Sequence, residues 1–90
     1  MLIEYDPDKR EETLKARGLD FEDAPKVFAE THVEVEDDRA DYGEMRWIVF
    51  GKLNGSIVSL VWTPRGKARR IISMRKCNVR EQKRYKARLG

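Results

Sequence analysis

Four basic side chains and a hydroxyl fall within the eight residues Arg69 to Lys76, which read Arg-Arg-Ile-Ile-Ser-Met-Arg-Lys. A guanidinium is always charged and offers a planar fork of N–H donors that matches a phosphate. The chemistry this segment could do is therefore phosphate binding, or stabilisation of the charge that builds up when a phosphodiester is attacked. A second basic group follows. Arg80, Lys83 and Arg84 stand at i, i+3 and i+4 and would share one face of a helix. They suit contact with a nucleic-acid backbone. A solvated helix with Tyr85 and Leu89 as its buried stripe fits the same residues.

Other chemistries lack their residues. His32 is the only histidine and Cys77 the only cysteine, so a His-based metal site, a His–Cys pair and zinc-ribbon spacings are not expected. No Gly-rich loop of Walker type occurs. The acids Glu34, Glu36, Asp37 and Asp38 could face a hard cation, but their spacing matches no calcium loop, and a solvated acidic loop is expected instead. Neither a metal nor an organic cofactor is expected.

The charges divide sharply along the chain. The net charge of +3 conceals −9 on residues 1–44 and +12 on residues 45–90, where Glu81 is the lone acid. Such asymmetry points to a polyanionic partner for the basic half. Mutual neutralisation of the halves within the fold is the alternative. Ninety residues are read as one domain, 1–90, with a modest core. The lone cysteine fits a reducing, cytoplasmic setting. The acidic N-terminus lacks an apolar run, so neither a signal peptide nor a membrane partner is expected.

Short elements must position these groups. Leu2 to Tyr5 reads as a strand. Asp6-Pro7 opens a helix that Gly18 stops, with Leu14 as its only clear apolar anchor. Asp20 or Asp23 caps a second helix, favoured to start near Asp23, which buries Phe21, Ala24, Val27 and Phe28. A short strand covers Val33 to Val35. Three longer strands are predicted over Met45–Gly51, Ile57–Thr63 and Lys67–Arg75, separated by Asn54-Gly55 and Pro64-Arg65-Gly66. Trp47 and Trp62 on adjacent strands fit a core better than a base-stacking platform. Asn78 and Glu81 form a reciprocal cap for the last helix. The order is β-α-α-β-β-β-β-α, an α+β fold with helices on one antiparallel sheet. Strict alternation puts Arg69, Ile71, Ser73 and Arg75 on one face and Arg70, Ile72 and Met74 on the other. Arg70 and Arg75 can then face the same way only across a bulge. The segment also suits an edge strand guarded by charge.

The combination resembles a known family. Tyr5-Asp6-Pro7-x-Lys9, Lys15-x-x-Gly18-x-x-Phe21-Glu22-x-Ala24, Val27-Phe28, Glu44-x-Arg46, Val61-x-Thr63, Arg70-Ile71-Ile72-Ser73-x-Arg75, Glu81 and Tyr85 follow, in order, the pattern of BrnT, the toxin of BrnT/BrnA type II toxin–antitoxin systems. The resemblance implies a RelE-like fold and metal-independent endoribonuclease activity. It also implies a BrnA-like ribbon-helix-helix antitoxin in a heterotetramer that contacts operator DNA through the antitoxin. Arg70, Arg75, Glu44, Arg46, Lys15 and Arg17 become the candidate catalytic residues. Lys83, Arg84, Arg80 and Arg69 become the candidate RNA contacts. The chain departs from the pattern at Arg17, where the family usually has His, and at Met74, where Ala is common. Arg17 cannot serve as a proton acceptor near neutral pH. Glu44 is then the candidate base. The alternatives are a nucleic-acid-binding module without catalysis, an inactive toxin remnant, and a structural partner whose basic face receives an acidic antitoxin segment.

Overall fold

Cap chemistry sets the helices of the computed structural model, which describes residues 1–90. The Asp6 carboxylate accepts from the Asp8 N–H (2.9 Å) and starts α1, Pro7–Arg17, with Pro7 where no N–H is needed. Gly18 ends it at φ 67°, where a side chain would be strained. No residue of α1 is buried, as its near-uniform polarity implies. Asp20 caps a 3-10 turn, Phe21–Asp23, which runs directly into α2, Ala24–Ala29. Asp23 thus marks the start of α2, while Asp20 supplies the capping bond to Glu22 N–H (2.9 Å). Asn78 and Glu81 form the full reciprocal cap of α3, Val79–Leu89.

Between them lie β1 (Ile3–Tyr5), β2 (His32–Glu36), β3 (Trp47–Leu53), β4 (Ser56–Arg65) and β5 (Ala68–Lys76), in the spatial order β1-β5-β4-β3-β2. The chain is α+β with three helices on a five-stranded sheet. The sheet is mixed, which corrects the expected antiparallel one: β1 pairs with β5 in parallel, Ile3 opposite Arg69 and Tyr5 opposite Ile71. A parallel neighbour needs a long crossover, which the sequence from α1 to β4 provides. The strand limits also move by one or two residues. β3 begins at Trp47 rather than Met45, and β4 runs through Pro64 to Arg65. Pro64 is tolerated because β3 ends opposite Trp62, so no strand on that side needs its missing N–H.

The two faces of the sheet bury different clusters. Phe21, Ala24, Val27 and Phe28 pack with Val49, Val58, Leu60, Trp62, Ile71 and Met74 beneath α2. Trp47 lies opposite Trp62 on this face and joins the core. α3 covers the other face at β2 and β3, where Tyr85 stacks on Phe50 (ring centres 4.1 Å apart) and joins Val33, Cys77 and Leu89. α1 packs beside β5.

One close approach fixes α2 on the sheet. A Cβ on Gly51 would lie 2.7 Å from Val27 Cγ1 and 3.3 Å from His32 Cβ. Val27 is β-branched on a helix and cannot swing aside. Gly51→Ala is expected to cost about 1–3 kcal/mol, seen as a lower urea midpoint at unchanged m.

Candidate active site

The register of β5 decides which arginines meet. Val61 stands opposite Ser73 but Trp62 stands opposite Ile71, so Ile72 is an extra residue in β5. This bulge reverses the alternation. Arg70 lies opposite Thr63 and Arg75 opposite Ser59, both on the face that α3 half covers. Arg70, Ser73 and Arg75 therefore share a face. Arg69 does not, which corrects the unbroken alternation of the sequence reading. Arg69 lies on the α2 face, its guanidinium 4.4 Å from the centre of Phe28 and 4.6 Å from that of Trp62. There it covers the rim of the core, the amphipathic use of a long basic side chain.

A row of polar side chains crosses the sheet at Arg70. The Asp37 N–H donates to the Arg46 carbonyl (2.8 Å), which extends β2 and β3 past their last ladder pair, Glu36 with Trp47. Asp37, Arg46, Thr63, Arg70 and Glu4 then lie side by side, one from each chain segment. Thr63 is buried and donates through Oγ1 to the Met45 carbonyl (2.6 Å). Arg70 Nη1 donates to Glu4 (3.3 Å). Arg46 Nε donates to Glu44 (2.9 Å), and its guanidinium lies 4.1 Å from the centre of the Tyr42 ring. Arg65 approaches the other Glu44 oxygen at 3.7 Å. Glu44 and Arg46 are thus brought to the same end of the face as Arg70.

Arg75 sits farther along β5. Four residue steps along β4, from Ser59 to Thr63, separate its row from that of Arg70, about 13 Å at the usual strand rise. Two arginine side chains can span that distance from opposite sides of Ser73. Glu81 holds Arg75 by both terminal nitrogens, each at 2.7 Å, and also accepts from the Asn78 N–H. The guanidinium draws the Glu81 carboxyl down to about 2, and the Asn78 N–H adds to this. Such a carboxylate is a weak base and serves as an anchor. Two further Arg75 donors, Nε–H and the second Nη2–H, form an edge that Glu81 does not use. The nearby Cys77 thiol is pushed up to about 11, mainly by burial, so it is no nucleophile near neutral pH.

Acid should weaken the fold through these anchors. Glu81, Asp20 and Asp37 all have carboxyls held below their ordinary range by arginine partners. A depressed carboxyl stabilises the fold fully above its unfolded value, and that contribution drains away as pH falls through the folded value. For Glu81 the window runs from 4.5 down to about 2. Glu81→Gln keeps a capping side chain and is expected to flatten part of the acid-side fall in the urea midpoint.

α1 borders the face beyond the end of β1. Arg17 Nη1 donates to the Met74 carbonyl (2.8 Å) on the free edge of β5. Lys9, Glu12, Thr13, Ala16 and Arg17 form a groove of about 320 Å³ with Ile72 and Ser73 of the bulge. Lys15 is not part of it: its ammonium is exposed and lies 3.5 Å from Glu11. Lys9, part of the Tyr5-Asp6-Pro7-x-Lys9 motif but assigned no site role from sequence, is the lysine of α1 that lines the groove. Arg80, Lys83 and Arg84 are exposed on α3 and hold no ion pair within the chain. His32 lies on the opposite face, with Nδ1 2.8 Å from the Glu30 carbonyl and its ring edge-on to Phe28. No three His, Cys, Asp or Glu side chains gather as metal ligands. The face offers forked cations, a serine and carboxylates, which suit the binding of a phosphodiester and stabilisation of added charge on it. No helix is long and apolar enough to cross a membrane.

Comparison with known proteins agrees with this chemistry. Residues 5–81 match the family model described as the ribonuclease toxin, BrnT, of type II toxin–antitoxin systems. A search of individually curated proteins found no match. The match runs from Tyr5, the last residue of β1, to Glu81 on α3 and so includes β2 to β5, the bulge and both residues of the Arg75–Glu81 pair. The chain belongs to the BrnT family of ribonuclease toxins of type II toxin–antitoxin systems.

Proposed function

We propose that the chain cleaves RNA without a metal, on the sheet face shared by Arg70, Ser73 and Arg75, through attack by the RNA's own 2′-hydroxyl. The observation that carries this reading is the bulge at Ile72, which aims Arg70 and Arg75 at one face on either side of Ser73. A phosphodiester above Ser73 would take the free edge of Arg75 from one side and Arg70 from the other. The 2′-oxygen bonds to phosphorus as the bond to the 5′-oxygen breaks. The 2′-hydroxyl proton passes to a base, and a proton reaches the leaving 5′-oxygen. The products are a 2′,3′-cyclic phosphate and a 5′-hydroxyl.

Glu44 is the proposed base, beside Arg46 in the polar row. Proton transfer of this kind contributes about 10²–10⁴-fold, so Glu44→Gln is expected to lose at least about 10²-fold in kcat. Arg46 and Arg17 add positive field, and Lys15 contributes only at long range. Lys83, Arg84 and Arg80 grip flanking phosphates from α3. Arg69, on the opposite face, is assigned no RNA contact. The reading includes neutralisation in the cytoplasm by a BrnA-like ribbon-helix-helix antitoxin, in a heterotetramer whose operator contacts come from the antitoxin. Induction of the toxin alone is expected to arrest growth, and co-expression of the neighbouring gene to restore it. Normal growth with soluble, folded toxin would count against the reading.

One observation favours a second reading, RNA binding without cleavage: the only imidazole lies on the far face, and Arg17 cannot move a proton. Intact RNA after incubation with saturating toxin would select it.

A further inference from the structure

The acidic segment after β2 was read as a solvated loop. Asp37 departs from that. Its side chain is 1% exposed, yet it carries a charge. Burying a carboxylate is costly unless both oxygens find partners. Both do: Arg39 donates from Nε to one oxygen (2.7 Å) and from Nη2 to the other (2.8 Å), and the Arg39 N–H adds a longer bond at 3.3 Å. Arg39 itself is 63% exposed. The pair is lopsided. A buried acid is spent on fixing the direction of one solvent-facing cation.

The direction is legible from the register. Asp37 lies opposite Arg46, and Val33, Val35 and Asp37 alternate onto the face of Arg70 and Arg75. Arg39 is anchored to that face. Asp37 belongs to the polar row that runs through Arg46 and Thr63 to Arg70, so Arg39 stands at the β2 end of that row. Asp37 uses the Nε–Nη2 edge of Arg39, which turns the Nη1 end outward beside the Tyr42 side chain. Arg39 and Arg70 thus stand in one row across the face, each with a carboxylate beside it.

We infer that Arg39, held by Asp37, is a further arginine of the RNA site and contacts a phosphate beside the scissile one. The inference rests on the reading that RNA lies on this face. Asp37 acts as a positioning residue: it never meets the RNA and works through Arg39.

Binding of a fully 2′-O-methylated oligonucleotide tests this, since it has no 2′-hydroxyl and cannot be cut by that route. Its affinity is measured by fluorescence anisotropy across a salt series. Arg39→Gln is expected to weaken binding by about tenfold, as for loss of a charged hydrogen bond. It should also lower the magnitude of the salt slope by about 0.7, the value for one phosphate contact on a single strand. Arg39→Lys keeps the charge without the fork, so its slope should match wild type while its affinity falls between the two. Cleavage of ordinary RNA should show a raised KM at nearly unchanged kcat. Wild-type affinity and slope in a folded Arg39→Gln would overturn the inference and leave the rest of the site standing. A variant that no longer melts cooperatively would also overturn it, because Arg39 would then be an anchor of the fold. If wild type fails to bind the oligonucleotide even at low salt, the placement of RNA on this face falls, and Arg39 with it.

Discussion

Arg75→Ala is expected to lower kcat/KM for RNA cleavage by about 10²–10³-fold, the usual loss when one preorganised donor to a developing oxyanion is removed. The size follows from how Arg75 is held. A free surface arginine would have to order itself around the phosphate in the transition state. Here Glu81 has already fixed it by both terminal nitrogens, and the carboxylate is itself tied to the first turn of α3. Little reorganisation remains to be done at the moment of reaction. The fold should survive the change. The Asn78–Glu81 cap is reciprocal without Arg75, and Tyr85 and Leu89 dock α3 independently. Arg75→Lys keeps a charge but loses the fork, so it should recover only part of the activity. Arg70→Ala should lose a comparable amount. Full cleavage by both folded alanine variants would remove the arginines from the chemistry.

Phe21→Ala carries the largest expected effect on stability, about 3–5 kcal/mol. Phe21 is completely buried, sits in the short turn that leads α1 into α2, and meets Tyr5 edge-to-face at 5.9 Å between ring centres. Its neighbours in the cluster include Leu60, Ile71 and Met74 from the two central strands beneath the site. A rigid 3-10 turn cannot collapse into the space an alanine would leave, so the cavity remains. Domains typically have only about 5–15 kcal/mol in total. The variant should therefore show a sharply lowered urea midpoint and lose growth arrest through unfolding rather than through chemistry. A shift below about 1 kcal/mol would mean that the cluster repacks around the gap.

Local rules made much of the fold legible in the residues. Asp6-Pro7 with Gly18, and Asn78 with Glu81, mark helix ends because capping is satisfied within a few residues. Asn54-Gly55 forces a hairpin for the same reason: Asn54 and Gly55 both take positive φ. The parallel pairing of β1 with β5 was not legible. It joins residues more than sixty positions apart, and no local pattern in three residues specifies its partner. The bulge was foreseen only as a condition. Arg70 and Arg75 differ in parity, so they could share a face only if a residue were inserted between them, and Ile72 is that residue. Arg39 was missed because it looks like one charge among many, and Lys9 was seen as a motif residue but given no site role. What sets Arg39 apart is the burial of Asp37, which continues the β2–β3 ladder by one pair beyond Glu36. Lys15 was carried by motif spacing, but helix geometry turns it away from the groove that Lys9 and Arg17 share.

The measurement closest to the central claim is cleavage of RNA by purified toxin in EDTA, with the ends of the fragments identified. Attack by the 2′-hydroxyl between Arg70 and Arg75 predicts fragments in the absence of divalent metal, with 2′,3′-cyclic phosphate and 5′-hydroxyl ends, and their disappearance in Arg75→Ala. Cleavage that requires a divalent metal, or that leaves 5′-phosphate ends, would contradict it.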